Sequence, residues 1–152
     1  MNYALKGITF RELSVTTNPA FRPTPGEKTE FKQEFRVERV TKAPNAENIY
    51  LSGIRFEMKA PPEKAAPYDV VVHVAGVFEA VDVNDANDMQ TLQYATVNVL
   101  LPALRAAVAN LLATAMLPPV QIPLIPVTRL CQQPGEEDQP AFKVKFDESL
   151  LA

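Results

Sequence analysis

One cysteine, one histidine and five glycines are all that this 152-residue chain holds of the residues on which most site chemistry is built. A lone Cys131 excludes an internal disulfide and a tetracysteine metal site. It stands beside Gln132, Gln133 and Pro134, where nothing lowers a thiol pKa. His73 has no second histidine to form a zinc site with. No serine, cysteine or carboxylate stands at a recognised motif spacing from it, so a structural, hydrogen-bonded or interfacial His73 is expected rather than a general base. The glycines are dispersed, with Gly76 alone between strand residues, and no phosphate-binding loop is present. Asp82, Asp85 and Asp88 recur every three residues but lack the Gly and terminal Glu of a calcium loop, and fit helix capping instead. A basic surplus is missing too. The chain has 15 Lys and Arg against 18 Asp and Glu, and a pI near 5.2. Nucleic acid is therefore not an expected partner. Neither enzyme chemistry nor a cofactor is expected.

What the chain does have is apolar sequence. Hydrophobic residues make up 47% and charged residues 22%, enough for one domain with a real core. The stretch Met89 to Thr128 carries a single formal charge, Arg105. Pro118, Pro119, Pro123 and Pro126 break its second half, which leaves no uninterrupted helix of the ~20 apolar residues that span a bilayer. Asn98, Arg105 and Asn110 would be penalised in hydrocarbon, so membrane insertion is not expected. The opening MNYALKGITF lacks the basic region and uninterrupted apolar run of a secretory signal. Together with the single cysteine, this makes the cytoplasm the expected compartment.

The first half alternates with the period of half-buried strands. From Leu5 to Thr17, Ile8 and Phe10 share one parity and Leu13 and Val15 the other. That phase change near Arg11 and Glu12 predicts a bulge or bend. A second strand, Phe31 to Thr41, sets Phe31, Phe35 and Val37 against Lys32, Glu34, Arg36 and Glu38. A third, Ile49 to Ala60, sets Ile54, Phe56 and Met58 against Arg55, Glu57 and Lys59, with a parity change at Gly53. The fourth, Tyr68 to Val81, is apolar on both faces, and such a strand needs two covers. One helix layer supplies only one, so a second subunit is expected to supply the other. Short turns without crossover helices favour antiparallel pairing.

After the polar VDVNDANDMQ loop the period becomes helical. Val97, Leu101, Leu104, Val108, Leu111 and Ala115 form one stripe, which on its own reads as a core helix. A proline in a helix interior costs ~3 kcal/mol, so Pro102 is placed in the first turn, with Asn98 as N-cap and the end at Leu117.

Four strands, a helix opening N-x-x-x-P-x-x-R (Asn98, Pro102, Arg105) and the apolar exit LPPVQIPLIPV (Leu117 to Val127) together resemble the SecB-type protein-export chaperones. Gly76-Val77-Phe78 is similar to the Gly-Ile-Phe that closes the family's fourth strand, and LKGITFRELSV (Leu5 to Val15) to its first. The resemblance covers roughly Leu5 to Leu130, with 131–152 as a C-terminal extension of a single domain.

It implies an α+β fold, with a four-stranded antiparallel sheet, one long helix on one face and a short C-terminal element. It also implies a homotetramer, a dimer of dimers, that holds unfolded or nascent polypeptides without ATP. By resemblance Tyr68, Val70, Val72 and Val74 are oligomer-interface positions. Leu117, Val120, Ile122, Leu124 and Ile125 are then peptide-binding positions.

The chain departs from the family in three places. Ala115-Met116-Leu117 stands where a glycine usually precedes the exit. Of the acidic positions that meet the translocase motor SecA, only Glu12 is matched, with Thr16 and Val71 at the other two. The basic, glutamine-rich tail is absent. Binding to SecA is thus doubtful, and a SecB-like relative serving an antitoxin or a phage protein stays open. A structural or assembly oligomer that reuses the fold is the alternative function.

Overall fold

The computed structural model describes residues 1–22, 25–26, 30–61, 65–117, 120, 122, 125–131 and 142–147; position 30 and the last stretch are described by backbone alone. In chain order the elements are β1 (Asn2–Thr17), β2 (Glu30–Lys42), β3 (Ile49–Lys59), β4 (Tyr68–Val81), α1 (Ala86–Thr114), α2 (Val127–Leu130) and β5 (Phe142–Asp147). All strand pairs are antiparallel, in the order β1-β4-β3-β2-β5. The expected four-stranded antiparallel sheet with one long helix is the body of this structure, and the expected short C-terminal element is the helix α2. Strand β5 is an addition from the C-terminal extension. Its Phe142, Val144 and Phe146 fall opposite Phe35, Gln33 and Phe31.

The sheet has one apolar face. Phe31 and Phe35 of β2, Ile54, Phe56 and Met58 of β3, and Val70, Val72 and Val74 of β4 are buried there in one cluster with Leu100, Leu104, Val108 and Leu112 of α1. Phe31 meets Tyr68, and Phe35 meets Phe56, each pair with ring centroids 5.0 Å apart. Gly76 lies under the helix. A Cβ there would come within 2.9 Å of a Leu100 methyl, so its bareness lets α1 seat on the sheet.

Two irregularities depart from the sequence-based expectation. The expected bulge in β1 is present, with Arg11 as the extra residue, but a second one lies at Lys6. The expected parity change at Gly53 does not occur, because Tyr50, Ser52, Ile54, Phe56 and Met58 all stay buried on one face. The register shift sits across the ladder in β2, between Glu38 and Thr41. Gln93 of α1 repairs that break. Its Oε1 accepts from Val40 N–H at 2.6 Å and its Nε2 donates to Glu38 C=O at 3.3 Å. Thr96 donates to Ser52 Oγ at 3.0 Å just beside it. A bulge leaves ladder groups unpaired, and here the helix supplies the missing partner.

Helix α1 begins twelve residues before Asn98. Asp85 is its N-cap and accepts from Asp88 N–H at 2.8 Å, while Asp88 accepts from Asn84 N–H at 2.9 Å. The aspartates do cap a helix, as the sequence suggests. Pro102 is therefore interior. It lies exposed, as does Asn98, whose carbonyl would have paired with residue 102 and is left to water. Burial on both sides of the proline, from Leu92 to Leu112, outweighs the ~3 kcal/mol local cost. The buried stripe centres on Leu100, Leu104, Val108 and Leu112, with Leu111 only half-buried and Ala115 exposed. At 29 residues α1 is, by length and composition, able to cross a bilayer. The exit prolines come too late to prevent that, and its apolarity is accounted for by the stripe buried on the sheet.

The positions expected at the oligomer interface, Tyr68, Val70, Val72 and Val74, lie in the core of the single chain. All four are 0–1% exposed in the single chain, covered by α1. The face of β4 that lacks a cover is the other one, with Val71, His73, Ala75 and Val77. Val72→Asp accordingly unfolds the monomer instead of dissociating an assembly. A buried, unpaired carboxylate costs about 3–5 kcal/mol, a large share of a domain's total. Circular dichroism melting combined with light scattering checks this. A native-like spectrum on a smaller particle would support the interface assignment.

Candidate functional site: two apolar margins

Strand β1 ends the sheet, and α1 packs over it only in part. Its two bulges have a joint effect on side-chain direction. Tyr3, Leu5, Ile8, Phe10, Leu13 and Val15 pair with Ala80, Phe78, Gly76, Val74, Val72 and Val70, all on the helix side. Two changes of sequence parity, one at each bulge, thus yield one continuous apolar ladder. The five residues Tyr3 to Leu13 are each exposed by more than a third, with Tyr3 and Leu13 highest at 46%. Sequence reasoning missed this ladder. The signal was in the chain, since an extra residue after Leu5 and another after Phe10 keep every apolar residue on one side.

The second margin is the exit from α1. Leu117, Val120, Ile122 and Ile125 are half-buried and pack against the main core cluster. Leu124 lies outside the described residues. A chain rich in proline cannot pair regularly, so this segment is held at particular points. Leu117 N–H donates to Leu112 C=O at 2.8 Å and Met116 N–H to Ala113 C=O at 3.1 Å, the two bonds of a Schellman closure. Arg105 Nη1 donates to Ile122 C=O at 2.9 Å. Beyond it, Leu130 of α2 is buried in the core, and α2 packs on β2. The single charge of the apolar stretch thus serves the backbone of the proline segment. Cys131 follows, half-buried, with burial pushing its thiol up to about 11, which disfavours the thiolate.

On the face of the sheet away from α1, small and apolar side chains such as Val71 and Ala75 lie among charged ones that pair with each other. Glu12 Oε2 accepts from Arg55 Nη1 at 2.7 Å, and Glu57 Oε1 from Arg55 Nε at 2.9 Å. The hydrogen bond to Glu12, followed by that to Glu57, raises Arg55 above its ordinary pKa. Burial pushes the Glu57 carboxyl up, but the Arg55 hydrogen bond and nearby Lys59 together hold it below its ordinary value. Thr16 and Val71 share this face with Glu12, opposite Asp69 and Ser14 respectively. His73 Nε2 and Glu38 Oε1 are 2.6 Å apart. The Glu38 carboxylate reaches across Gly53, where a Cβ would stand 2.6 Å from its Oε2. His73 is a structural, paired histidine.

A four-stranded antiparallel body, one long helix and a short C-terminal helix can be compared with known proteins. The family model for the preprotein translocase subunit SecB matches residues 3–138. The chain belongs to the SecB family. No curated sequence matches it significantly. Among solved structures it is similar to the SecB-like chaperone of Mycobacterium tuberculosis, solved with a ChAD peptide from the HigA1 antitoxin. The TM-score is 0.62 and the identity 17%, over 81% of this chain and 90% of that one. Identity that low shows a shared fold.

Replacing Arg105 with Met keeps the stem and removes the donor. A hydrogen bond from a charged group contributes about 1.5–3 kcal/mol. The expected outcome is faster amide exchange across 120–127 with protection of α1 unchanged between Leu92 and Leu104. Uniform loss of protection along α1 would show that Arg105 holds the helix and not the exit.

Proposed function

We propose that this SecB-family protein is an ATP-independent holdase, and that it buries extended apolar segments of unfolded or nascent polypeptides. The carrying observation is the exit segment. It keeps four large apolar residues half-open to solvent while its backbone is pinned by Arg105 and by the helix terminus. Exposed apolar surface of this kind marks a binding site. Covering it returns roughly 25 cal/mol per Å². Several weak sites on one assembly add through effective concentration. The peptide held by the mycobacterial chaperone supports the same reading. We assign the protein no catalytic activity, and place it in the cytoplasm.

The assembly we propose is a tetramer that covers the β1 ladder with a second copy. A 16-residue edge strand with a bare apolar face is an aggregation hazard unless something covers it, and a partner copy pairs both its edge and its ladder. Docking on SecA is not part of the proposal. Glu12 is neutralised by Arg55, and Thr16 and Val71 carry no charge, so the acidic surface that would steer such a complex is absent at these positions. A client other than export precursors fits better.

Two experiments test this. Changing Ile122 and Ile125 together to Ser removes half-buried apolar surface worth about 2–3 kcal/mol. The variant should stay folded at 25 °C yet lose most suppression of aggregation of a reduced, unfolded client. A folded variant that suppresses normally would move the site elsewhere. For the assembly, Phe10→Lys with Leu13→Lys should leave the fold within about 1 kcal/mol, since both positions are exposed. Light scattering should then record a smaller particle. Retained mass together with client capture would remove β1 from the assembly. Retained mass with no capture in the parent protein would favour a purely structural oligomer.

A further inference from the structure

Met116 is the most exposed large apolar residue among those described, at 92%. It is also one of three non-glycine residues with positive φ, at 58°. The two Schellman bonds that end α1 require this left-handed residue between Ala115 and Leu117, and glycine is the residue such a position favours. A side chain at this φ is strained. Strain is repaid when the side chain packs, but this one touches almost nothing. Methionine at 116 is therefore unfavourable twice over in the free chain, through its backbone and through its hydration. Strained, over-determined residues cluster at functional positions, and the contact that accounts for this one lies outside the free chain.

The surroundings indicate which contact. Met116 directly precedes Leu117, the first of the half-buried exit residues, and so extends their apolar surface into solvent. The chain that follows runs to α2 on β2, three strands from the β1 ladder in the sheet order. Methionine is unbranched and polarisable, and adapts to partners of varied shape. That suits clients of differing sequence better than the fixed surface of a second copy.

We propose that Met116 is a client-contacting residue, a flexible thioether at the start of the apolar exit segment that packs on apolar side chains of a bound extended polypeptide. The proposal rests on the holdase reading above and assigns that site a residue outside the half-buried set.

The test compares the parent protein with Met116→Gln and Met116→Gly for binding of fluorescein-labelled, reduced and carboxymethylated α-lactalbumin. Gln keeps the length and the strained φ but is polar, so only the apolar contact is lost. Gly relieves the strain, partly offset by its greater freedom in the unfolded chain, and should melt no lower than the parent. Both variants should bind the client about fivefold more weakly or worse, as expected for one partly buried side chain, with particle mass unchanged. Parent-like binding by both variants overturns the proposal and leaves the holdase reading standing. A change of mass in the Gln variant overturns it in favour of an assembly contact. A parent protein that binds no client overturns both.

Discussion

A single helix cannot cover this sheet, and the rest of the molecule follows from that mismatch. An α-helix with its side chains is about 10–12 Å across. Five strands at about 4.8 Å spacing give a sheet about 19 Å wide. Centred on β3 and β4, α1 buries their faces and reaches β1 and β2 on either side only in part, leaving the β1 side chains more than a third exposed. The two flanks need other solutions, and they receive different ones. On the β2 side the chain returns as the exit segment and α2. On the β1 side no described segment returns, and an apolar ladder is left more than a third exposed.

Both solutions depend on polar side chains that rise from α1. Gln93 meets the backbone of β2 where its ladder breaks, and Arg105 meets the backbone of the exit where prolines prevent pairing. Each irregular stretch of backbone leaves groups that cannot stay buried unpaired, and each is answered from the same helix three turns apart. The helix therefore does more than fill the core. It fixes where the irregular segments run, and so where apolar surface remains open. A segment held this way packs its isoleucines on the core while leaving them half-exposed.

The parts of this arrangement legible in the sequence are those carried by local period. Strand ends at Tyr68 and Val81, the bulge at Arg11 and the proline-interrupted exit could all be read directly. What failed was the choice between alternatives of equal local quality. Asn98 and Asp85 both offer an N-cap, and Pro102 favours Asn98. The decision came from Leu92, Thr96 and Val97, whose burial is tertiary. Likewise β4 is apolar on both faces, and nothing in its own period says which face α1 covers. The smaller Gly76 settles it, because only on that face can Leu100 approach. Strand β5 was missed because its six residues alternate within an otherwise polar extension, and their pairing partner lies more than a hundred residues away.

The acidic position carried over by resemblance shows why a matched residue is not a matched surface. Glu12 stands at the end of the register shift in β1, opposite His73, and its placement on the uncovered face follows from backbone geometry. Its electrostatic character does not. Arg55, one strand beyond β4, bridges Glu12 and Glu57 and places a guanidinium between the two carboxylates. Charges paired within a sheet face project little field beyond it, since screening acts over about 8–10 Å. Approaching partners therefore meet a nearly neutral ladder on this face, while the opposite face offers apolar margins at β1 and at the exit. The apolar surface that stays open in this chain thus lies on the helix side of the sheet, at the residues the helix leaves part-exposed.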